Sequence, residues 1–498
     1  MSCADTMTGL ALSMLSGLPT KVGRPAYDPA GVRIGIVHLG LGAFHRAHQA
    51  VYTDEVVAGD SRWGICGVSL KTPRATVALA AQDYLYTVLT KDRDGTTARV
   101  IGALREALFL GADRPRLLAR FADPAVTVVT VTVTEKGYCH DPATGNLNLA
   151  HPDIAHDLAH PDAPVSAPGV LVAGLAARHA SGAGAINVVC CDNLPHNGRV
   201  VAGIVAAYAR HVDPALADWI GANVAFPSTM VDRIVPATTE ADVAETERII
   251  GVADAVPVVC EPFGQWVIED RFLAARPAWE TAGAQFVADV APFETMKLRL
   301  LNGSHSTLAY LGFLAGHEFI WEASAAPDLA ALVERQMVEE IVPTLAAPPG
   351  IDLIAYGRQL MARFRNPALP HRTQQIAMDG SQKLPQRLLN TVRDRLATGA
   401  SIAHLSLAVA GWIRYASGTD ERGHPIAVSD PLAPTFARIV AAAGADPTRI
   451  AAGFLDLAPV FGTDLAGHEA FRAAVTTNVV RLFRDGVHKT LAGHLVAR

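Results

Sequence analysis

One short segment concentrates the residue types that acid–base chemistry requires. It reads MKLRLLNGSHSTLAYLGFL and carries Lys297, Asn302 and His305 at spacings i, i+5 and i+8. At about 100° per residue, an α-helix places these side chains within one polar arc of about 140°. A lysine, an amide and an imidazole on one buried helix face call for a chemical role. The alternative is an exposed lysine beside a histidine of the core, and spacing alone leaves both interpretations open.

The buried interpretation predicts a general base. A lysine in an apolar site loses the solvation of its ammonium form, so its pKa falls from about 10.4 toward neutrality. A neutral Lys297 amine accepts a hydroxyl proton while hydride leaves the same carbon. Asn302 then donates a hydrogen bond to the developing alkoxide, and His305 holds a neighbouring hydroxyl.

Two further segments supply polar partners. The stretch CCDNLPHNG places Asn193 just past the carboxyl end of a predicted strand, where open α/β sheets bind ligands. The stretch FPSTMVDRIVPAT places Asp232 and Arg233 between apolar residues, which is unusual for charges unless they are paired or functional. The structural alternative for these two residues is an ion pair with each other.

A glycine turn predicts a dinucleotide site. HLGLGAFHRAHQA follows the first predicted strand, and Gly40 and Gly42 form the G-x-G of a binding turn that includes Phe44. The third glycine position of the fingerprint is His45, so the motif is incomplete. Gly40 permits the tight turn, and Gly42 lets backbone N–H groups approach a pyrophosphate at a helix N-terminus. Arg46 adds a cation for the phosphates.

The end of the second predicted strand bears on the choice of cofactor. NAD enzymes carry an acid there for the ribose 2′-hydroxyl, but SLKTPRAT offers Lys71 and Arg74 and no acid. Cations suit a 2′-phosphate, so NADP stands beside NAD as a candidate. The alternative is that both are solvated surface charges.

The elements that position these residues follow from hydrophobic patterning. Apolar runs at 32–40, 63–70, 126–134 and 185–193 predict buried strands, with helix-compatible stretches such as 168–180 between them. This alternation predicts an α/β domain with a mostly parallel, doubly wound sheet. From about Pro292, long Ala/Leu/Arg-rich segments at 296–314, 329–345 and 401–416 predict helices. We therefore expect a dinucleotide-binding domain over residues 1–290 and a mainly helical substrate-binding and catalytic domain over 291–498.

Composition excludes several classes of protein. The 498 residues suffice for two large domains, and the net charge of −6 without a basic stripe argues against nucleic acid as a partner. No apolar run reaches the roughly 18 residues of a membrane span, and the start lacks the cationic end of a signal peptide. The six cysteines form no C-x-x-C pair. We expect a cytoplasmic monomer or small homo-oligomer with reduced thiols.

These residues together resemble the mannitol dehydrogenase family, the polyol-specific long-chain dehydrogenases. The matching stretches lie within residues 33–384, and GWIRYASGTDERGHPIAVSDP extends the likeness toward the C-terminus. They read GLGAFHRAHQAVYTDE, TVTEKGYC, CDNLPHNG, FPSTMVDRIVPAT, EPFGQWVIED, MKLRLLNGSH and DGSQK.

The resemblance implies a Rossmann-type N-terminal domain, a mainly α-helical C-terminal domain, and metal-free hydride transfer to NAD or NADP. It implies that Lys297 is the base and that Asn193 and Asn302 surround the reacting oxygen. It also implies Asp232, His305 and Lys383 as ligands of a sugar acid or polyol. Glu294, in PFETMK, resembles a family glutamate that relays the proton to solvent.

Within the family, TEKGYC, NGSHS and HRTQQIAMDGSQKLPQR resemble the fructuronate reductases, which interconvert D-mannonate and D-fructuronate. A uronate carboxylate favours a guanidinium fork, which Arg372 beside His371 supplies. One position departs from this pattern, because the enteric fructuronate reductases have arginine where this chain has Gly264. CDNLPHNG and VVCEPF are closer to mannitol 2-dehydrogenases, so a neutral polyol remains the alternative substrate.

A function of another class is a dinucleotide-binding sensor without catalysis. Lys297, Asn302, His305 and Asn193 argue against it, because a sensor needs no base. A turnover assay discriminates between the two.

Overall fold

The chain folds into two units, which divide between Ala291 and Pro292. The computed structural model describes residues 9–141 and 144–496. Unit 1 is the N-terminal part and unit 2 the C-terminal part. Unit 1 contains the strands β1 Ile34–Leu39, β2 Gly64–Ser69, β3 Tyr86–Asp92, β4 Gly95–Ile101, β5 Leu104–Phe109, β6 Val128–Val131, β7 Ile186–Cys190, β8 Val224–Ala225, β9 Thr229–Asp232, β10 Val258–Cys260, β11 Gln265–Glu269 and β12 Gln285–Val287.

Nine α-helices are assigned within the described part of unit 1. They are α1 Ala43–Ala47, α2 Gln49–Val57, α3 Arg74–Ala80, α4 Leu110–Ala122, α5 Pro152–Ala159, α6 Ala167–Ser181, α7 Asn197–Val212, α8 Pro214–Asn223 and α9 Glu240–Ile250. Their ends follow local chemistry. The Ser166 hydroxyl, for example, accepts the Gly169 N–H at the start of α6 at 3.0 Å, and Gly182 closes that helix in the left-handed conformation.

The central sheet of unit 1 has six parallel strands in the order β5-β2-β1-β6-β7-β8. This is the order of a doubly wound dinucleotide-binding sheet, with its switch point between β1 and β6. The sheet confirms the Rossmann-type fold predicted from the alternating apolar runs. Because β1, β6 and β7 are nearly or fully buried, their sequences are continuously apolar rather than alternating.

Two three-stranded sheets flank this core. β3 pairs antiparallel with β4 and parallel with β10, while β11 pairs antiparallel with β9 and parallel with β12. The strands β3 to β5 and β8 to β12 were not predicted. Those from β8 to β12 span only two to five residues, and runs of that length carry little periodicity.

Unit 2 is helical, as predicted. Its helices are α10 Ala291–Met296, which begins at the last residue of unit 1, α11 Ser304–Leu314, α12 Ile320–Ala325, α13 Pro327–Arg335, α14 Leu353–Phe364, α15 Thr373–Ala377, α16 Gly380–Leu384, α17 Asn390–Ala397, α18 Ala403–Ala416, α19 Ala433–Ala443, α20 Pro447–Leu455, α21 Ala458–Ala466 and α22 Glu469–Val496. Three π-helical segments, Lys297–Gly303, Gln336–Ile341 and Pro385–Leu389, interrupt them.

Helix α18 runs through the core of unit 2 and is buried on every side from His404 to Ala416. Its N-terminus is capped by the Glu340 carboxylate, which accepts the N–H groups of His404 and Leu405 at 3.0 and 2.8 Å. No helix in the described ranges is long and apolar enough to span a membrane.

Five cysteines, Cys66, Cys139, Cys190, Cys191 and Cys260, are free and buried. Cys3 lies outside the described residues. A buried thiol in an apolar site behaves as a small hydrophobic group, which agrees with the positions of Cys66, Cys190 and Cys260 on β2, β7 and β10.

Candidate active site

The glycine turn after β1 has a backbone that only glycine allows. Gly40 has φ of 101°, and a Cβ there would lie 1.9 Å from the backbone oxygen of Thr132, which follows β6. Gly42 differs, since the nearest atom to a Cβ placed on it is the Gly40 oxygen at 3.8 Å. Gly40 thus allows the turn to pack directly against Thr132 at the switch point. At Gly42, by contrast, no atom of the described residues other than the Gly40 oxygen lies near the position of a Cβ. Both properties fit a dinucleotide whose phosphates approach the backbone.

His45 occupies the third fingerprint position and packs in an unexpected way. Its buried ring stacks on that of His38, with centroids 3.3 Å apart and planes 10° from parallel. The two ring nitrogens of His38 lie 2.8 Å from Thr130 Oγ1 and 2.9 Å from the Gly40 oxygen. Burial lowers the pKa of His38 to about 3 and that of His45 well below its usual value. A neutral stacked pair therefore fills the space where the fingerprint has glycine.

The other cofactor candidates divide between surface and core. Phe44 is half-buried and stacks on His48 at 5.1 Å. Lys71 and Arg74 are exposed after β2, as a 2′-phosphate contact requires. Arg46 is buried, donates to the Val256 oxygen and lies over the Tyr86 ring. These contacts direct the Arg46 guanidinium into the core of unit 1, a placement that the sequence did not reveal.

Asn193, Asp232 and Arg233 also belong to unit 1. Asn193 is exposed on the loop between β7 and α7, and Asp232 is buried at the end of β9. The Arg233 guanidinium donates to backbone oxygens of Ala47, Glu261 and Pro262 at 2.7, 3.2 and 3.4 Å. These bonds link the end of β9 to α1 and to the chain that follows β10.

Lys297, Asn302 and His305 lie on the helical segment 291–314 of unit 2. Lys297 is 7 % exposed and His305 6 %, which answers the question of burial left open by their spacing. The expectation of a regular α-helix was wrong, because residues 297–303 form a π-helix. A π-helix pairs residue i with residue i+5, so Asn302 follows Lys297 on the same face, closer than the α-helical period implies.

The π-helix is held in place by a second one. A Cβ on Gly303 would lie 2.6 Å from the backbone oxygen of Arg387, so the segment Pro385–Leu389 approaches the first segment closely at this glycine. π-helical turns are uncommon and are frequent at functional sites. Gly303 belongs to the NGSH motif, but its packing partner is not visible in the sequence.

The His305 ring lies in a basic environment. It stacks on Phe364 at 5.0 Å and meets the His371 ring edge-on at 5.2 Å. Burial lowers the pKa of His305 well below its usual value, and the positive potential of His371, Arg387, Arg363 and Lys383 lowers it further. His305 is therefore a neutral imidazole whose Nε2 has no hydrogen-bond partner among the described residues.

Three further candidates complete unit 2. Glu294 is half-buried on α10, one turn before Lys297. Lys383 is half-buried on α16, with its Nζ 3.5 Å from the Ile376 oxygen. Arg372 is exposed, forms an ion pair with Glu318 and lies over the Phe319 ring. The proposed carboxylate fork is therefore engaged by an acid of its own unit.

One set of potential metal ligands occurs among the described residues. It consists of Cys139, His151 and Asp153, whose ligand atoms lie within 4.8 Å of one another beside α5. The long spacing of these residues hid the group from sequence inspection. It includes none of the candidate catalytic residues.

Comparison with known proteins shows which family models and relatives match this chain. Family models described as the mannitol dehydrogenase Rossmann domain and the mannitol dehydrogenase C-terminal domain match residues 34–281 and 289–483. The chain is 48 % identical over 483 residues to the D-mannonate oxidoreductase of Escherichia coli, covering 96 % of this chain and 98 % of the relative. An uncharacterized oxidoreductase of the same organism, YdfI, is also 48 % identical over 482 residues, covering 96 % of this chain and 99 % of the relative.

Among solved structures, the ternary complex of Pseudomonas fluorescens mannitol 2-dehydrogenase with NAD and D-mannitol superposes with a TM-score of 0.89. Identity to that enzyme is 40 %, and the match covers 99 % of this chain and 100 % of the other. Three findings agree: two models of this family match in order along the chain, relatives match over nearly their whole length, and the central sheet has the strand order of a dinucleotide-binding domain. The chain belongs to the mannitol dehydrogenase family and is an oxidoreductase.

Proposed function

We propose that this oxidoreductase uses NAD or NADP to interconvert a secondary alcohol and a ketone on an open-chain sugar acid, D-mannonate and D-fructuronate. The observation that carries the proposal is the 48 % identity, over nearly both whole chains, to a D-mannonate oxidoreductase. The burial of Lys297 and His305 on one helical segment supports a catalytic rather than a sensing function.

In the proposed reaction, Lys297 accepts the proton of the substrate hydroxyl. A bound NAD or NADP would supply the hydride acceptor for the carbon that carries this hydroxyl. Burial of an amine favours its neutral form, and a neutral amine accepts a proton. The amides of Asn193 and Asn302 donate hydrogen bonds to the oxygen as negative charge develops on it. Glu294, one turn before Lys297, passes the proton on to solvent.

The remaining candidates orient the substrate. The unpartnered Nε2 of His305 receives or donates a hydrogen bond at a neighbouring hydroxyl, while Asp232 and Lys383 hold others. No step requires a metal ion, because Lys297 both receives and returns the proton. Reduction of the ketone runs the same steps in reverse.

A carboxylate in the substrate is favoured by the charge around His305. Arg363, Lys383 and Arg387 all raise the positive potential at this ring, and a uronate carries a compensating negative charge. The alternative is mannitol 2-dehydrogenase activity, favoured by the structural match to that enzyme and by Gly264. The arginine that lies near Gly264 is Arg233, and its guanidinium is already bound to backbone oxygens.

The experiment that tests the function is a turnover panel. NADH and NADPH oxidation is measured with fructuronate, tagaturonate and fructose. We expect the highest kcat/KM with fructuronate. A preference for fructose would support mannitol 2-dehydrogenase activity instead. Binding of the dinucleotide without turnover of any of the three substrates would support a non-catalytic sensor.

The cofactor preference has its own test in Arg74. If Lys71 and Arg74 bind the 2′-phosphate, NADPH binds at least as well as NADH. Arg74→Asp removes one charge-assisted hydrogen bond and adds repulsion, so it should shift the NADPH/NADH ratio of kcat/KM about tenfold or more toward NADH. Arg93→Asp, which changes an exposed arginine at the β3–β4 turn, is the control and should leave the ratio unchanged. Strong selectivity for NADH in the unaltered protein would show that Lys71 and Arg74 are surface charges only.

Alanine substitutions at the two glycines of the turn should have different effects, one on stability and the other on cofactor binding. Gly40→Ala forces a Cβ against the Thr132 oxygen at positive φ, which costs about 2–4 kcal/mol and lowers the Tm. Gly42→Ala meets no protein atom within 3.4 Å and should leave the Tm unchanged while raising the Kd for NADH. Calorimetry and NADH fluorescence titration measure the two effects. An unchanged Kd in Gly42→Ala would place the cofactor elsewhere.

A further inference from the structure

The loop that leaves β6 contains a strained residue. Thr134 has φ of 67° and ψ of 160°, a region that is essentially restricted to glycine. A β-branched side chain makes this conformation still less favourable. Such a conformation persists only where surrounding contacts impose it, so something must hold Thr134 in place.

One carboxylate, that of Asp192 in the connection after β7, holds this loop through three hydrogen bonds. Asp192 Oδ2 accepts hydrogen bonds from the Val133 N–H at 2.8 Å and the Tyr138 hydroxyl at 2.7 Å. Its Oδ1 accepts the Thr134 N–H at 3.2 Å. Asp192 directly precedes Asn193, so the residue that clamps the strained loop also fixes the start of the loop that carries Asn193.

A second polar residue ties this segment to β9. The Asn197 amide nitrogen lies 3.0 Å from the Asp192 backbone oxygen and 2.9 Å from the Thr229 oxygen, and Asn197 Oδ1 accepts the Thr229 N–H at 2.9 Å. A Cβ on Gly198 would lie 2.5 Å from the Phe226 oxygen, which shows how closely α7 approaches the chain before β9. Thr229 begins β9, and Asp232 ends it.

We propose that Asp192 and Asn197 are positioning residues, which hold Asn193 and Asp232 in one rigid frame. They act through these two residues. The proposal therefore rests on the role given to Asn193 and Asp232 in the proposed function. The frame joins the chain beyond β6, β7 and the start of β9, and the hydrogen bonds of Asp192 and Asn197 maintain it.

The first test is Asp192→Asn. Every orientation of the new amide points its NH₂ group at a hydrogen-bond donor, so at least one bond of the clamp is lost. We expect kcat to fall about 10- to 100-fold through misplacement of Asn193, with the Kd for NADH unchanged. The matched control is Asp157→Asn. Asp157 accepts two N–H groups and one hydroxyl at the α5–α6 turn, so this variant should lower the Tm but not kcat.

The dependence of kcat on pH provides a second test, because a residue with a purely structural role would not change the shape of this profile. Burial raises the pKa of Asp192 to about 6, against the hydrogen bonds that lower it. The groups that face it are Tyr138, Cys190, Cys191 and Glu135. The clamp needs the ionised carboxylate, which is present above pH 6 and is lost as the pH falls through 6. We therefore expect kcat to fall on the acid side near pH 6, and this limb to be absent in Asp192→Asn.

Two mild variants should move this limb in opposite directions. Tyr138→Phe removes a hydrogen bond that lowers the pKa of Asp192, so the limb should shift to higher pH. Glu135→Gln removes a negative charge that raises this pKa, so the limb should shift to lower pH. Both leave the carboxylate in place and report on it even if Asp192→Asn fails to fold.

Asn193→Ala and Asp232→Ala separate failure of this proposal from failure of the proposed function. If both variants keep full kcat, the proposed function of these residues is wrong. If they lower kcat while Asp192→Asn and Asp157→Asn behave alike and the limb does not move, the positioning proposal alone is overturned.

Discussion

Lys297→Ala is expected to lower kcat by a factor between about 10² and 10⁴ while the Kd for NADH stays within about twofold of its original value. The variant removes the group that accepts the hydroxyl proton, an interaction made mainly in the transition state. Lys297 is almost completely buried on its π-helix, and alanine offers no group that could accept the proton in its place. Steady-state kinetics and fluorescence titration of NADH measure the two quantities.

Lys297→Arg distinguishes proton transfer from simple electrostatics. An arginine carries a positive charge and does not deprotonate in proteins, so it cannot accept the proton, and we expect it to be as inactive as the alanine variant. Substantial activity in the arginine variant would remove Lys297 from the role of base. EDTA should leave turnover unchanged, and activity that a chelator abolishes and a metal restores would direct attention to Cys139, His151 and Asp153.

Fructuronate should be preferred over fructose by roughly 30- to 1000-fold in kcat/KM. The two substrates differ at one end, where the uronate has a carboxylate and fructose a primary alcohol. A cation placed for the carboxylate is left without its partner by fructose, at a cost on the order of 2–4 kcal/mol. Each 1.4 kcal/mol corresponds to about a factor of ten. Competing substrate assays at fixed cofactor concentration measure this ratio.

Arg372 and its partner Glu318 show whether Arg372 supplies that cation. Arg372→Ala should lower kcat/KM for fructuronate and leave that for fructose unchanged. Glu318→Gln releases the guanidinium from its ion pair and should raise kcat/KM for fructuronate. If both variants retain the original preference, the ion pair is a surface feature only. A wild type that prefers fructose, with the preference intact in Arg372→Ala, would falsify the uronate proposal.

Patterning along the chain was sufficient to predict the fold class. The apolar runs of β1, β2, β6 and β7 are continuous because both faces of a parallel sheet are covered. The burial of these strands can therefore be predicted from their residue types alone. The change to Ala- and Leu-rich segments after Pro292 marked the helical unit in the same way. The family motifs could also be read without a structure, because motifs are local in sequence.

The residues whose function depends on packing could not be assigned in this way. Arg46 and Arg372 both read as available cations, yet one is buried against Val256 and Tyr86 and the other is paired with Glu318. Their partners lie 210 and 54 residues away, and no local pattern encodes such contacts. Arg363 and Arg387 were overlooked for the same reason, since only the fold brings them near His305.

The sequence by itself determined which chemical groups the protein possesses and which strands of the central sheet and long helices it forms, because residue type and periodicity are local properties. Only the tertiary structure decided how those groups are held. The π-helix at Lys297 forms beside a second such segment that approaches Gly303, and the strained Thr134 is held by Asp192 from the loop after β7. Both conformations cost energy locally and exist only because distant parts of the chain stabilise them.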